Sequence, residues 1–190
     1  MAEARLAGLS IDDFLDRVAS DAPTPGGGAA AALVGALAGS LGKMVCALTV
    51  GQPKFAAVAP QIKQIASRLT RATLMLKLLI DEDAAAYGEL SAALKLDRSD
   101  PQRKQRLAQT GALAAAVPLE TVAVSRQVLG DLRRLESIGN PKLRSDVEAA
   151  AHLGRAAMAA AAANVRVNLP LLPDVQARRV EDELARLLAD

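Results

Sequence analysis

The stretch SDAPTPGGGAAAALVGALAGSLGKMVCALTVGQPKF, residues 20–55, combines a high alanine content with many glycines. The alanines favour an α-helix, yet the stretch opens on three consecutive glycines and carries further glycines at positions 35, 39 and 42. Each glycine in a helix interior costs up to about 1 kcal/mol relative to alanine. These glycines must therefore have a role that offsets their cost.

Length and composition indicate a single domain over residues 1–190. Hydrophobic residues make up 51% of the chain and aromatic residues only 2%, so the core must consist of Ala, Leu, Val and Ile. The net charge is only +2 and the two signs are interspersed along the chain. Because aromatic residues for base stacking are also scarce, we expect no nucleic-acid partner.

The cellular location is predicted from one cysteine and from the amino-terminal residues. Cys46 stands alone, which excludes an internal disulfide and fits a reducing compartment. No apolar run follows a basic region near the start, so we expect no secretory signal and a cytoplasmic protein. Residues 26–42 carry no charge, but the run is slightly short for a membrane span and is mostly Ala and Gly. We interpret it as a buried helix and expect no membrane association.

Helical signals run along nearly the whole chain, and the alternating pattern of β-strands is missing, which predicts an all-α fold. We expect Ser10 and Asp13 to form a capping box for the first helix. Pro101 should occupy the first position of the fourth helix, Pro118 should bend or interrupt that helix, and Ser145 should cap the fifth. The predicted helices span residues 10–19, 26–50, 56–96, 99–136, 145–169 and 173–188.

Two predicted helices are rich in small residues on several faces, at residues 26–48 and 149–163. Such faces would leave large apolar patches if they were exposed to solvent. We infer that a second subunit covers part of this surface in a twofold homodimer. A buried central helix in a monomer is the alternative.

The glycines Gly26, Gly27 and Gly28 follow Pro25 at the predicted start of the second helix. Free backbone N–H groups at a helix start, with no side chains in the way, can bind a carbonyl or an anion. A flexible helix start is the alternative. The run is neither a Walker A loop nor a dinucleotide fingerprint, because no Gly-Lys-Ser/Thr follows it and no strand precedes it.

A carboxylate, Asp83, lies on the apolar face of the predicted third helix. Ile80, Asp83 and Tyr87 follow one another at steps of three and four residues, whereas Asp81 and Glu82 point elsewhere. A carboxylate in such a place either pairs structurally with a cation or a helix end, or acts as an acid or base. Spacing alone favours the structural role.

Two asparagines, Asn164 and Asn168, are four residues apart near the end of the predicted fifth helix. Both amides therefore share one face and could hold a polar heterocycle, or they could make tertiary hydrogen bonds to a helix end or loop. His152 lacks the set of Cys, His and carboxylate partners that makes a metal site, so we expect it to be structural. We expect no metal site.

Several separated motifs occur in an order that resembles the C-terminal family of formiminotransferase-cyclodeaminase. They are PTPGGGAAAALVGALAGSLGKM, DEDAAAY, AAAVPLETV, GNPKLRSD and NVRVNLPLL, and the resemblance covers about residues 14–172. It implies an all-helical homodimer with a folate-binding cleft at or near the subunit interface. The implied substrate is a tetrahydrofolate derivative, with or without a polyglutamate tail, and no metal or other cofactor is implied.

The resemblance also implies site residues, position by position. Asp83 would act as the acid and base, and Lys54 would orient the folate or keep the carboxylate ionised; a solvated loop cation is the alternative for Lys54. The implied substrate-binding residues are Gly26, Gly27, Gly28, Met44, Thr49, Tyr87, Asn140, Ser145, Asp146, Asn164 and Asn168.

This chain departs from the family pattern at Ala29, Gln52, Pro53 and Glu148. We expect a methenyltetrahydrofolate cyclohydrolase, because no transferase domain is attached that would supply formimino-folate. A formimidoyltetrahydrofolate cyclodeaminase is the alternative. Because of these departures, a helical dimer that binds folate without catalysing a reaction is a further alternative.

Overall fold

The computed structural model describes residues 5–189, and within that range it contains helices and no β-strand. This confirms the all-α prediction. The helices are α1 (Ile11–Val18), α2 (Gly27–Val50), α3 (Ala59–Leu94), α4 (Arg103–Ile138), α5 (Arg144–Asn168) and α6 (Asp174–Leu188). Short 3₁₀ turns occur at Leu6–Gly8, Pro53–Phe55, Pro141–Leu143 and Leu169–Leu171.

The four long helices α2 to α5 form an up-and-down bundle. Helices α2 and α4 each contact both α3 and α5, so the four helices surround one core. Short connections between consecutive helices make neighbours antiparallel. The beginning of α2 therefore lies beside the end of α5 and the second half of α3. Helix α1 adds Phe14 to the main core, and α6 adds Leu184 to a smaller cluster with Val122 and Val165.

Local chemistry explains most of the helix ends. The Oγ atom of Ser10 accepts a hydrogen bond from the N–H of Asp13 at 3.1 Å, which confirms the predicted cap of α1. Two predicted starts are wrong. Pro101 lies in the turn before α4, and Ser145 is the second residue of α5 because the 3₁₀ turn Pro141–Leu143 leads directly into that helix.

Pro118 does not interrupt α4, which runs unbroken through it. A proline removes one backbone donor from a helix and disturbs the carbonyl four residues earlier. Here the helix continues because the turns on both sides lie in the core, where Ala115 and Val122 are fully buried. Tertiary packing therefore overrides the local preference for a break.

The glycines inside α2 serve packing within the subunit. A Cβ atom at position 35 would lie 2.9 Å from the Ser125 Oγ, and one at position 39 would lie 2.6 Å from the Thr73 Oγ1. Close packing of helices is thus their role. At these glycines α2 is covered by α3 and α4 of the same subunit. The inference that a second subunit covers another part of the surface stays a prediction.

Helices α2 and α4 are long and apolar enough to cross a membrane by length and composition. In their most apolar windows, 50% of the α2 residues and 44% of the α4 residues are buried inside the bundle. The core helix of a bundle passes the same test, so the two helices are weak evidence for a membrane span.

Candidate active site

A cleft of about 360 Å³ opens where the start of α2, the middle of α3 and the end of α5 meet. It is lined by backbone as well as side chains, and Leu90, Leu94 and Leu171 supply an apolar wall. It brings together seven of the residues that the sequence singled out: Gly26, Gly27, Gly28, Asp83, Tyr87, Asn164 and Asn168. Residues far apart in the sequence thus share one cleft.

The carboxylate of Asp83 is bound to the start of α2. Gly26, at the N-cap position, has no side chain to cap the helix, and the Asp83 Oδ2 accepts the N–H of Ala29 at 2.8 Å instead. Within residues 5–189, no hydrogen bond ends on the Asp83 Oδ1. Burial raises the pKa of Asp83, and the bond from Ala29 opposes that rise. One carboxylate oxygen is therefore held and the other is left for a ligand.

Gly28 is required for this contact. A Cβ atom at position 28 would overlap the Asp83 Oδ1 and would lie 2.5 Å from the Cγ of Asp83 and 2.8 Å from its Oδ2. The backbone N–H groups of Gly27 and Gly28, in the first turn of α2, have no acceptor among the described residues. The cleft thus offers two backbone donors beside the carboxylate.

The two asparagines line the cleft, and neither Oδ1 atom accepts a hydrogen bond from residues 5–189. The Asn164 Nδ2 donates to the Ala160 carbonyl at 2.9 Å, and the Asn168 Nδ2 donates to the Ala114 carbonyl at 2.9 Å. Because each Nδ2 is engaged with a helix carbonyl, each Oδ1 is left as an acceptor. Tyr87, one turn after Asp83, lies at the rim and is 41% exposed.

Asp81 has a different, structural place. Its Oδ1 accepts the N–H of Leu6 at 2.6 Å, and its Oδ2 accepts a bond from the Arg5 Nε at 3.0 Å. It therefore holds the segment before α1 against α3. The predicted difference in direction between Asp81 and Asp83 is confirmed.

The remaining predicted residues lie at the opposite end of the bundle. From Gly28 to Thr49 the axis of α2 rises about 32 Å, at about 1.5 Å per residue. Lys54 is exposed in the turn after α2, with its Nζ 4.8 Å from the ring centroid of Phe55. Within one subunit the fold therefore does not bring Lys54 to Asp83. Also at or near this second end lie Met44, Thr49, Asn140, Ser145 and Asp146.

Two of these distant residues hold a loop. Thr49 is fully buried, and its Oγ1 donates to the Val45 carbonyl at 2.7 Å and accepts the Asn140 N–H at 3.3 Å. The Asn140 Oδ1 in turn accepts the N–H of Lys142 at 3.1 Å. Thr49 and Asn140 thus fix the connection between α4 and α5.

Two backbone groups of the site, the N–H of Ala29 and the carbonyl of Ala114, could not be predicted, because apolar side chains give no signal of a functional N–H or carbonyl. A second, larger groove of about 540 Å³ lies between α3 and α4. Two of its four charged residues, Arg68 and Asp131, already bind each other, with the Nε–Oδ1 distance at 2.9 Å. Within residues 5–189, no group of three or more His, Cys, Asp or Glu side chains is arranged to hold a metal ion.

Comparison with known proteins gives consistent matches. The chain is 34% identical to the methenyltetrahydrofolate cyclohydrolase of Methylorubrum extorquens over 186 residues, which cover 95% of this chain and 89% of that protein. It is 30% identical to the formimidoyltransferase-cyclodeaminase of Rattus norvegicus, but it spans only 36% of the length of that protein.

The fold has a solved counterpart. The crystal structure of formiminotetrahydrofolate cyclodeaminase from Thermotoga maritima superposes with a TM-score of 0.88 and 31% sequence identity, over 95% of this chain and 88% of that one. The model of the formiminotransferase-cyclodeaminase family matches residues 10–186. This chain therefore belongs to the formiminotransferase-cyclodeaminase family.

Proposed function

We propose that the protein is a methenyltetrahydrofolate cyclohydrolase, which adds water to 5,10-methenyltetrahydrofolate and yields 10-formyltetrahydrofolate. The observation that carries this proposal is the carboxylate of Asp83, half-buried in the cleft with one oxygen held by Ala29 and the other free. The choice of reaction is supported by the 34% identity to a cyclohydrolase whose length the chain nearly matches.

The cleft can supply the proton transfers of this reaction. A water oxygen attacks the methenyl carbon while one of its protons passes to the Asp83 carboxylate. Asp83 returns that proton to nitrogen 5 as the bond between nitrogen 5 and the carbon breaks. The remaining hydroxyl proton leaves to solvent when the formyl C=O forms on nitrogen 10.

Two properties of Asp83 suit this role. Its pKa is raised toward neutral pH, and general acid–base catalysis is most effective when the pKa of the catalytic group is near the working pH. Its negative charge also stabilises the positive charge of the methenyl group. The free N–H groups of Gly27 and Gly28 would bind an oxygen of the folate beside the reacting carbon.

The cyclodeaminase reaction is the second candidate, and the Thermotoga maritima neighbour supports it. In that reaction nitrogen 10 attacks the formimino carbon on nitrogen 5, and ammonia leaves. The same carboxylate would accept a proton from nitrogen 10 and donate one to the leaving nitrogen. A folate-binding dimer without catalysis is the third candidate.

A spectroscopic assay separates the three. Purified protein is mixed in turn with methenyltetrahydrofolate and with 5-formiminotetrahydrofolate, and the methenyl absorbance is followed above the uncatalysed rate. A cyclohydrolase removes the absorbance in the first case, and a cyclodeaminase creates it in the second and releases ammonia. Tight binding without either change would identify the non-catalytic protein and refute our proposal.

We also propose a cytoplasmic homodimer in which each cleft receives Lys54 from the partner. The outer face of α2 carries the exposed apolar side chains Leu37, Met44 and Leu48, which a second subunit would cover. A twofold axis across the middle of α2 would place the far end of one α2 beside the start of the other. That arrangement reunites the two groups of predicted site residues.

Subunit mixing tests this arrangement. Asp83→Asn and Lys54→Ala homodimers are each expected to be nearly inactive. If Lys54 acts across the interface, mixed dimers have one cleft without either substitution and recover up to about a quarter of wild-type activity in an equimolar mixture. No recovery after demonstrated subunit exchange, or a stable monomer at micromolar concentration, would contradict the shared cleft.

A further inference from the structure

A carbonyl at the wall of the cleft lacks its normal helical partner. Pro118 lies inside α4, four residues after Ala114, and has no backbone N–H. In a regular α-helix that N–H would donate to the carbonyl of residue 114. The Asn168 Nδ2, on α5, donates to this same carbonyl at 2.9 Å. A side chain of the cleft thus replaces the donor that the proline removed.

This bond restricts the orientation of the Asn168 amide. The same Nδ2 also donates to the Asn164 carbonyl at 3.0 Å, so both of its protons are engaged. The reversed amide would place Oδ1 against two carbonyl oxygens and is therefore unfavourable. Within residues 5–189, no hydrogen bond ends on the Asn168 Oδ1. Only an acceptor is left for a ligand.

We propose that Pro118 is a positioning residue for the substrate, because the carbonyl that it leaves free locks the Asn168 amide with Oδ1 available to the cleft. This inference rests on the proposed function, and it specifies the contact between Asn168 and the substrate. Asn168 accepts a hydrogen bond from a ring N–H or the exocyclic amino group of the pterin, not from a carboxylate or carbonyl of the substrate. Asn164 is less restricted, because only one of its two Nδ2 protons is held by the Ala160 carbonyl, so it can accept through Oδ1 or donate through the second proton.

The first test is Pro118→Ala. A backbone N–H at position 118 pairs with the Ala114 carbonyl, and the Asn168 amide becomes free to turn. We expect the Kd for tetrahydrofolate monoglutamate to rise about tenfold, the effect of losing one oriented hydrogen bond. We expect kcat to stay within about threefold, since Asp83 and its contact with Ala29 are untouched. The Tm should stay equal or rise, because proline is unfavourable inside a helix.

The matched control is Val117→Ala, at a neighbouring buried residue of α4. This change removes two methyl groups and leaves every backbone hydrogen bond in place. It should lower the Tm without changing the Kd. Loss of amide orientation should change the Kd and not lower the Tm, as expected for Pro118→Ala. A general loosening of α4 should lower the Tm and not change the Kd, as expected for Val117→Ala.

A double-mutant cycle tests the coupling without any ligand. Asn168→Asp cannot donate to the Ala114 carbonyl, so it should lower the Tm in the wild-type background. With Pro118→Ala present, that carbonyl already has a helical donor, and the loss of Tm should be much smaller. Asn164→Asp should show the same loss in both backgrounds, because the Ala160 carbonyl keeps its ordinary helical partner.

Three results would overturn the inference. Additive Tm changes for Pro118→Ala and Asn168→Asp would show that the two residues are not coupled. Coupled Tm changes with an unaltered Kd in Pro118→Ala would show that the bond only repairs the helix. Wild-type protein that does not bind tetrahydrofolate would refute the proposed function and the ligand contact together, and the Tm cycle would still report the coupling separately.

Discussion

The contact between Gly28 and Asp83 allows a sharp test by Gly28→Ala. The added methyl group would overlap the Asp83 Oδ1 and would lie 2.5 Å from its Cγ and 2.8 Å from its Oδ2, whereas ordinary carbon–oxygen contacts exceed about 3.2 Å. The carboxylate must therefore move by roughly 1 Å, and rotation away from α2 breaks its bond to the Ala29 N–H. We expect stability to fall by about 1–3 kcal/mol. Turnover should fall by roughly 10²-fold, since a 1 Å displacement of a catalytic group has about that effect.

Two other glycines provide controls for this variant. A Cβ atom at Gly26 meets only the Pro23 carbonyl at 3.8 Å, and one at Gly88 meets nothing within 4 Å. Gly88→Ala, outside the cleft, should therefore keep turnover within a few-fold of wild type, and Gly26→Ala, which adds no overlap, should keep the stability of wild type. Stability is measured by denaturant unfolding, and turnover by the methenyl absorbance. If Gly28→Ala retained full activity, the carboxylate that we observe against α2 would not be the catalytic group.

Four further predictions concern Asp83, Asp81 and Gly39. Asp83→Asn should lower turnover by roughly 10²–10⁴ with substrate binding retained, and Asp81→Asn should mainly lower the Tm; equal activity losses would indicate a shared acidic pair. The raised pKa of Asp83 should place the acidic limb of kcat/KM at a higher pH than an ordinary aspartate would give, and this limb should be absent from Asp83→Asn. Folding favours the protonated form of Asp83, so its stabilising contribution is lost as the pH rises through the folded-state pKa. Asp83→Asn should therefore gain stability relative to wild type as the pH increases. A stability difference that does not change with pH would contradict this. Gly39→Leu should cost about 1–3 kcal/mol of subunit stability through overlap with Thr73, and an effect on association alone would contradict the intrasubunit contact.

Much of the site was predictable because helical periodicity relates residues along one helix. The steps of three and four residues place Asp83 on the inner face of α3 and turn Asp81 away, as the structure confirms. The spacing of Asn164 and Asn168 likewise puts both amides on one face of α5. Such inferences depend only on the 3.6-residue period of the α-helix, which holds whatever surrounds it.

The sequence by itself determined the all-α class, most of the helices and the faces that their polar residues share, because these follow from local propensity and periodicity. Only the tertiary structure decided which faces meet and at what height along the bundle. It placed Gly28 against Asp83, and it separated Lys54 from both by the length of α2. It also gave Asn168 the carbonyl that Pro118 leaves free. These pairings depend on how helices pack in three dimensions, and periodicity within a single helix carries no information about the axial position of its neighbours.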